Sequence, residues 1–258
     1  MSARRHLGAS GREAVGHGRG RPGAVREDGA VSRGEGERDR RAGRAWLVLA
    51  LALVVPVLVT AVRVVRSGWV PAIDDATIST RAYDVWSDHP PLVGQFSLAT
   101  TEVAQAAHSP GPMLYWLVSP AARSGWWPAI PLTMALVNAA LLVACVGLAQ
   151  RRGGTATAVA ATIGLAFLVR AFGPVTMVEI WNPWAALIPF TALVFVAWSV
   201  ADGDRALLPV AVLLATFTMQ THLAYLFPSV AALTVAVLAG WVERRDGGGR
   251  LGIRRRRG

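Results

Sequence analysis

The chain has 258 residues, 53% of them hydrophobic and only 16% charged, with a mean hydropathy of +0.41. A soluble domain of this length needs a largely polar surface, so the composition argues for a membrane core. The net charge of +10 gathers in residues 1–44 and 243–258. Placed beside apolar spans, this excess is explained by topology and anionic headgroups, and with no recognition motif it argues against nucleic acid as a partner.

All 26 basic side chains are Arg. Cys145 is the single cysteine, which excludes an intrachain disulfide and a Cys/His zinc site. Residues 1–44 combine Arg, Gly and acidic residues with almost no apolar periodicity and read as a disordered basic tail. Ala45–Val62 then runs without a charge, longer than the roughly 7–15 apolar residues of a signal peptide, and predicts a first transmembrane helix with Pro56 as a kink. Five more spans follow at about 128–150, 154–170, 184–201, 206–221 and 224–242. The last two form a hairpin meeting the surface around Gln220, Thr221 and His222. The expected class is therefore all-α, a polytopic membrane protein of about six transmembrane helices. Residues 45–242 form its membrane domain, and 243–258 a second basic tail.

Arg placement orients it. With the N-terminus inside, cytoplasmic segments hold eleven Arg before residue 45, Arg151, Arg152, Arg205 and seven after Trp241. The outside holds only Arg63, Arg66, Arg81, Arg123 and Arg170. The positive-inside rule gives cytoplasmic N- and C-termini in a multi-pass plasma-membrane protein.

With that orientation the inside loops are short, and a long outer loop covers about 66–127. Loops of this length are usually functional or disordered, and this one carries aromatic and apolar residues at intervals. Asp74-Asp75 opens a helix-like stretch to Trp86, and Asp88-His89-Pro90-Pro91-Leu92 follows. A second helix-like stretch, Ser97–Ala107, precedes His108-Ser109-Pro110-Gly111-Pro112. Met113–Val118 is too short to span and reads as a half-helix on the membrane. The Asp74-Asp75 pair has two readings. It caps the following helix, or one carboxylate is a general base for a hydroxyl while the other orients it.

The order of these features resembles the GT-C superfamily of integral-membrane glycosyltransferases, in particular actinobacterial members. The resemblance rests on a cytoplasmic N-terminus, one helix, an acidic pair just after it and a large helical outer loop. The Asp88–Gly94 and His108–Pro112 segments, Trp181-Asn182-Pro183-Trp184 and Gln220-Thr221-His222 belong to the same ordered set. It covers about residues 45–242 and implies inverting transfer of a sugar from a polyprenyl-phosphate donor to a lipid, glycan or protein acceptor outside the cytoplasm. It places catalysis at Asp74 and Asp75. Full-length members generally have more membrane helices, so it also implies an N-terminal portion or truncated relative of such an enzyme.

A departing phosphate calls for Arg, whose guanidinium binds it bidentately. Arg81, Arg123 and Arg170 are the outer-face candidates, although Arg170 also reads as a snorkelling side chain at the interface. Asp88, His89, His108, Asn182 and His222 complete the candidate substrate-binding set. Asn182-Pro183 also fits a helix start, and Glu179 a simple pairing with a nearby Arg. His89, His108 and His222 could ligate a divalent metal with Asp74, Asp75 or Asp88, but they lack tight metal-ligand spacing, so polar capping or acceptor hydrogen bonding is the expected role and no cofactor is expected. A non-catalytic membrane protein, a transporter component or assembly partner, is the alternative. Transporters place polar groups near the bilayer midplane, whereas here polarity gathers in the outer loop.

Overall fold

The structure, a computed structural model, describes residues 28–96 and 107–247. The chain divides into two units, Met1–Arg41 and Ala42–Gly258; the second holds both apolar cores and the candidate site.

Among the described residues the fold is all-helical, with a single isolated bridge between Phe96 and His108. In chain order the helices are α1 (Asp28–Arg66), α2 (Asp74–Asp84), α3 (Met113–Arg123), α4 (Ala129–Phe172), α5 (Asn182–Ala201), α6 (Leu208–Thr221) and α7 (Leu226–Gly247). Short 3₁₀ turns, Arg205–Leu207 and Leu223–Tyr225, lead into α6 and α7. Four segments are long and apolar enough to cross a membrane: Trp46–Arg66, Ala129–Phe172, Asn182–Ala201 and Leu223–Val242. They mark a membrane protein, because an apolar helix satisfies its own backbone polar groups in lipid.

The helix boundaries refine the sequence reading. Helix α4 holds two expected spans in one 44-residue stretch, interrupted at Gly154, whose φ of 75° and ψ of −169° are not helical. A straight helix of that length would reach about 66 Å, over twice the roughly 30 Å of a hydrocarbon layer. Glycine tolerates this positive φ without a Cβ clash, so Gly153-Gly154 is where the run breaks. The span expected at 206–221 is the shorter apolar stretch Arg205–Thr221.

The tail expected to lack structure to residue 44 is helical from Asp28 onward. Once Trp46–Arg66 is helical, extension needs no new nucleus, and the Glu, Arg and Ala residues preceding it are good helix formers. Residues 1–27, nearly all of the helix-like stretch expected at Ser97–Ala107, and the tail beyond Gly247 lie outside the described residues.

The larger core joins α1, α4, α5 and α6, including Leu53, Val57, Leu142, Val146, Ile188, Leu193 and Leu214. Helix α5 lies at its centre: Ala185, Ala186, Ala192, Ala197 and Ser199 are buried, and such small residues let helix backbones approach closely. A second core anchors the loop helices. Ile78 and Ala82 of α2 pack with Leu114, Tyr115 and Val118 of α3, against Ile130, Met134, Ile180 and Phe217. Polar contacts tie the same pair together. Trp86 Nε1 donates to Ser119 Oγ at 3.1 Å, and Arg123 donates to the Tyr83 carbonyl at 3.3 Å while lying 4.8 Å over its ring. Helices α2 and α3 are thereby packed together against α4 and α6.

At the other end of α6, two short connections interlock. Arg151 and Arg152 pair with Asp204, and Arg152 also reaches Asp202 at 3.3 Å. Helix α6 thus runs from this charged cluster to His222.

Candidate functional site

Three distant segments meet beside the N-terminus of α2. The segment between α1 and α3 supplies Asp74, Gln95, Phe96 and Ser109. The lead into α5 supplies Trp181, Asn182 and Pro183, and the α6–α7 turn supplies His222. Together they line a cavity of about 220 Å³.

The walls are built by short-range pairing. Gly94 N donates to Ser109 O at 2.9 Å, and Ser109 N donates to Gln95 O at 2.8 Å. These bonds clamp residues 94–96 against 108–109. The clamp needs a bare backbone at Gly94: a Cβ there would lie 2.6 Å from Ser109 Cβ and 2.8 Å from Gly111 O. Gly111 N in turn donates to Gln220 O at 3.4 Å, tying the loop to the end of α6.

On this frame Gln95 Nε2 donates to Asp74 Oδ1 at 2.7 Å. One carboxylate oxygen is held, so a charged Asp74 presents the other. Asp75 does not line the cavity. Burial first, then the negative charges of Glu179 and Asp74, push its carboxyl up to about 6. Burial also raises Glu179. The simple Arg pairing considered for Glu179 is absent among the described ion pairs; the charge it acts on is that of Asp75. The expected capping role of the acidic pair takes a modified form. Ile73 occupies the N-cap and no side chain caps the helix, so Asp74 and Asp75 sit in its first turn, where they oppose the dipole. Ile73 itself adopts φ 50° and is 88% exposed. A β-branched residue in that region is strained, which marks the turn that delivers Asp74.

Asn182 is 6% exposed. Its Nδ2 donates to Thr221 O at 2.7 Å and to Ser109 Oγ at 3.3 Å. Its Oδ1 is buried without a hydrogen-bond partner. The expected capping use of Asn182 fails, because Trp181 is the N-cap of α5 and Pro183 fills its first turn; the amide instead joins loop, α5 and α6. His222 Nδ1 accepts from Ala224 N at 3.3 Å, leaving Nε2 to carry the proton of the neutral ring. Burial lowers its pKa, so the ring is uncharged at neutral pH.

No protein-family model, curated protein or solved structure matches this chain.

The other candidates are scattered. Arg81, Asp88 and His89 are exposed and do not line the cavity. His108 is exposed, its ring 5.5 Å from that of Phe96 at a steep angle, so it backs a wall residue. Arg123 is engaged with Tyr83. Arg170 lies in the last turn of α4 beside a separate apolar recess of about 160 Å³ shared with Leu53 and Pro56 of α1. The described residues contain no group of three or more His, Cys, Asp or Glu that could hold a metal ion. Gln95 and Ser109, by contrast, reach the cavity without having been singled out as individual site residues. Neither has a local signal; only pairing across the loop brings them in.

Proposed function

We propose that the chain is, or derives from, a GT-C type glycosyltransferase that moves a sugar from a polyprenyl-phosphate donor to an extracytoplasmic acceptor with inversion. The observation that carries this reading is Asp74. Its carboxylate is oriented by Gln95 on the wall of a cavity that gathers the loop, the α5 entry and His222.

In this mechanism the free oxygen of Asp74 takes the proton of an acceptor hydroxyl. The resulting oxygen attacks the anomeric carbon from the face opposite the phosphate. The carbon–oxygen bond to phosphate breaks, and polyprenyl phosphate leaves with the electron pair. A positioned base of this kind contributes about 10²–10⁴-fold. Asp75, with its raised pKa and its carboxylate neighbour Glu179, shapes the field behind the base. Arg81 lies seven residues along α2 from Asp74, hence on the same face and about 10 Å away, and is the candidate to meet the phosphate.

The cavity lies beside the loop that Arg counting places outside, which supports an extracytoplasmic reaction and cytoplasmic termini. The test is transfer by membranes containing the chain, from a panel of labelled polyprenyl-phosphate sugars, with Asp74→Asn as the comparison. Transfer that needs Asp74 supports the reading; transfer indifferent to Asp74→Asn overturns it.

A further inference from the structure

The lining of the Asp74 cavity has a chemical bias. Its polar members are an amide, a hydroxyl, a second amide and an imidazole: Gln95, Ser109, Asn182 and His222. Among the described residues that line it there is no Arg, and Asp74 is the one carboxylate. Its aromatic members are Phe96 and Trp181, 49% and 40% exposed, so each keeps ring surface open. An aromatic face is electron-rich and attracts polarised C–H groups, which a pyranose presents on one side while its hydroxyls project at the edges. With His222 uncharged, Asp74 sets the sign of the local field. A second carboxylate brought close to Asp74 would be repelled, more strongly here than in bulk water.

We propose that this cavity binds one neutral sugar ring, the terminal residue of a glycan acceptor, and excludes acidic rings. This rests on the sugar-transfer reading for the ring's role as acceptor, but the binding itself does not require transfer. The volume suits it, since about 220 Å³ is below the roughly 300–1,000 Å³ of pockets for larger ligands.

The experiment is saturation-transfer NMR on the full chain in detergent, without donor. Matched methyl hexopyranosides and methyl hexuronides serve as probes. Wild type is expected to bind the neutral glycosides at least about tenfold better than the uronides. Asp74→Asn, nearly isosteric, should raise uronide binding about tenfold and so shrink the preference for neutral glycosides. Trp181→Leu and Phe96→Leu should each weaken neutral binding. Equal binding of both probe classes by wild type overturns the proposal. So does failure to bind neutral glycosides, or no gain of uronide binding in Asp74→Asn. Neutral binding in a chain that transfers no sugar sustains the ring site and sinks the transferase reading alone. Transfer to an acidic or peptide acceptor without neutral binding does the reverse.

Discussion

Gln95 and Asp74 are 21 positions apart, yet the Gln95 amide donates to the Asp74 carboxylate at 2.7 Å. The bond fixes one oxygen of the candidate base and depends on the clamp between residues 94–96 and 108–109. Gln95 is therefore a positioning residue. Gln95→Leu removes a hydrogen bond to a charged group, worth about 1.5–3 kcal/mol. In steady-state transfer assays kcat should fall about tenfold or more while KM changes little. A rise confined to KM would instead make Gln95 a substrate contact.

The clamp makes a second prediction through its glycines. At Gly94 an added Cβ meets Ser109 Cβ and the Gly111 carbonyl, both parts of the clamp. At Gly111 the three nearest atoms all belong to the side chain of Gln220, whose end can swing away. Gly94→Ala should therefore cost about 1–3 kcal/mol and lower Tm in detergent, whereas Gly111→Ala should cost less. Equal losses would show that the Gln220 side chain is as immobile as the clamp backbone.

Asp75 ties stability to pH. Its carboxyl titrates near 3.8 without the fold and near 6 within it. Between those values the folded state binds more proton, so stability falls as pH rises from about 4 to about 6 and stays reduced above. Asp75→Asn removes this loss. For a side chain half open to solvent the discounted gain is about 1 kcal/mol, or about 2–4 °C in Tm at pH 7.5, vanishing near pH 4. A Tm difference independent of pH would assign the effect to packing.

At the far end of α6, Arg151 and Arg152 share Asp204, but their burial differs. Arg152 and Asp204 are 13% and 11% exposed and 2.8 Å apart, whereas Arg151 is 61% exposed. Removing Arg152 takes away the more buried partner of Asp204 and the contact to Asp202, leaving a nearly buried carboxylate with only the exposed Arg151. Arg152→Gln should cost about 2–3 kcal/mol, and Arg151→Gln less than about 1 kcal/mol. Denaturation in detergent of the two variants checks the order.

Much of the helical frame is legible in sequence because lipid imposes a simple rule. Apolar runs near 20 residues must close their own backbone bonds, and glycine pairs or prolines mark the breaks. The break at Gly153-Gly154, the proline start of α5 and the turn at His222 follow from that rule. The helical extension to Asp28 does not, because tail composition reports solubility rather than continuation of a neighbouring helix. Within the site, Asp74, Asn182 and His222 carry side chains whose chemistry is recognisable anywhere. Gln95 and Ser109 gain their roles from pairing across a loop that has no periodic pattern. His108 is the more conspicuous residue of its motif, but its ring packs edge-on against Phe96, and its neighbour Ser109 lines the cavity instead.

The account depends most on Asp74. The direct measurement is sugar transfer from polyprenyl-phosphate donors by membranes carrying equal amounts of wild type, Asp74→Asn and Asp75→Asn. Asp74→Asn should lose about 10²–10⁴-fold and Asp75→Asn about tenfold. Transfer that survives Asp74→Asn unchanged, at equal protein levels, would contradict the assignment of Asp74 as the base.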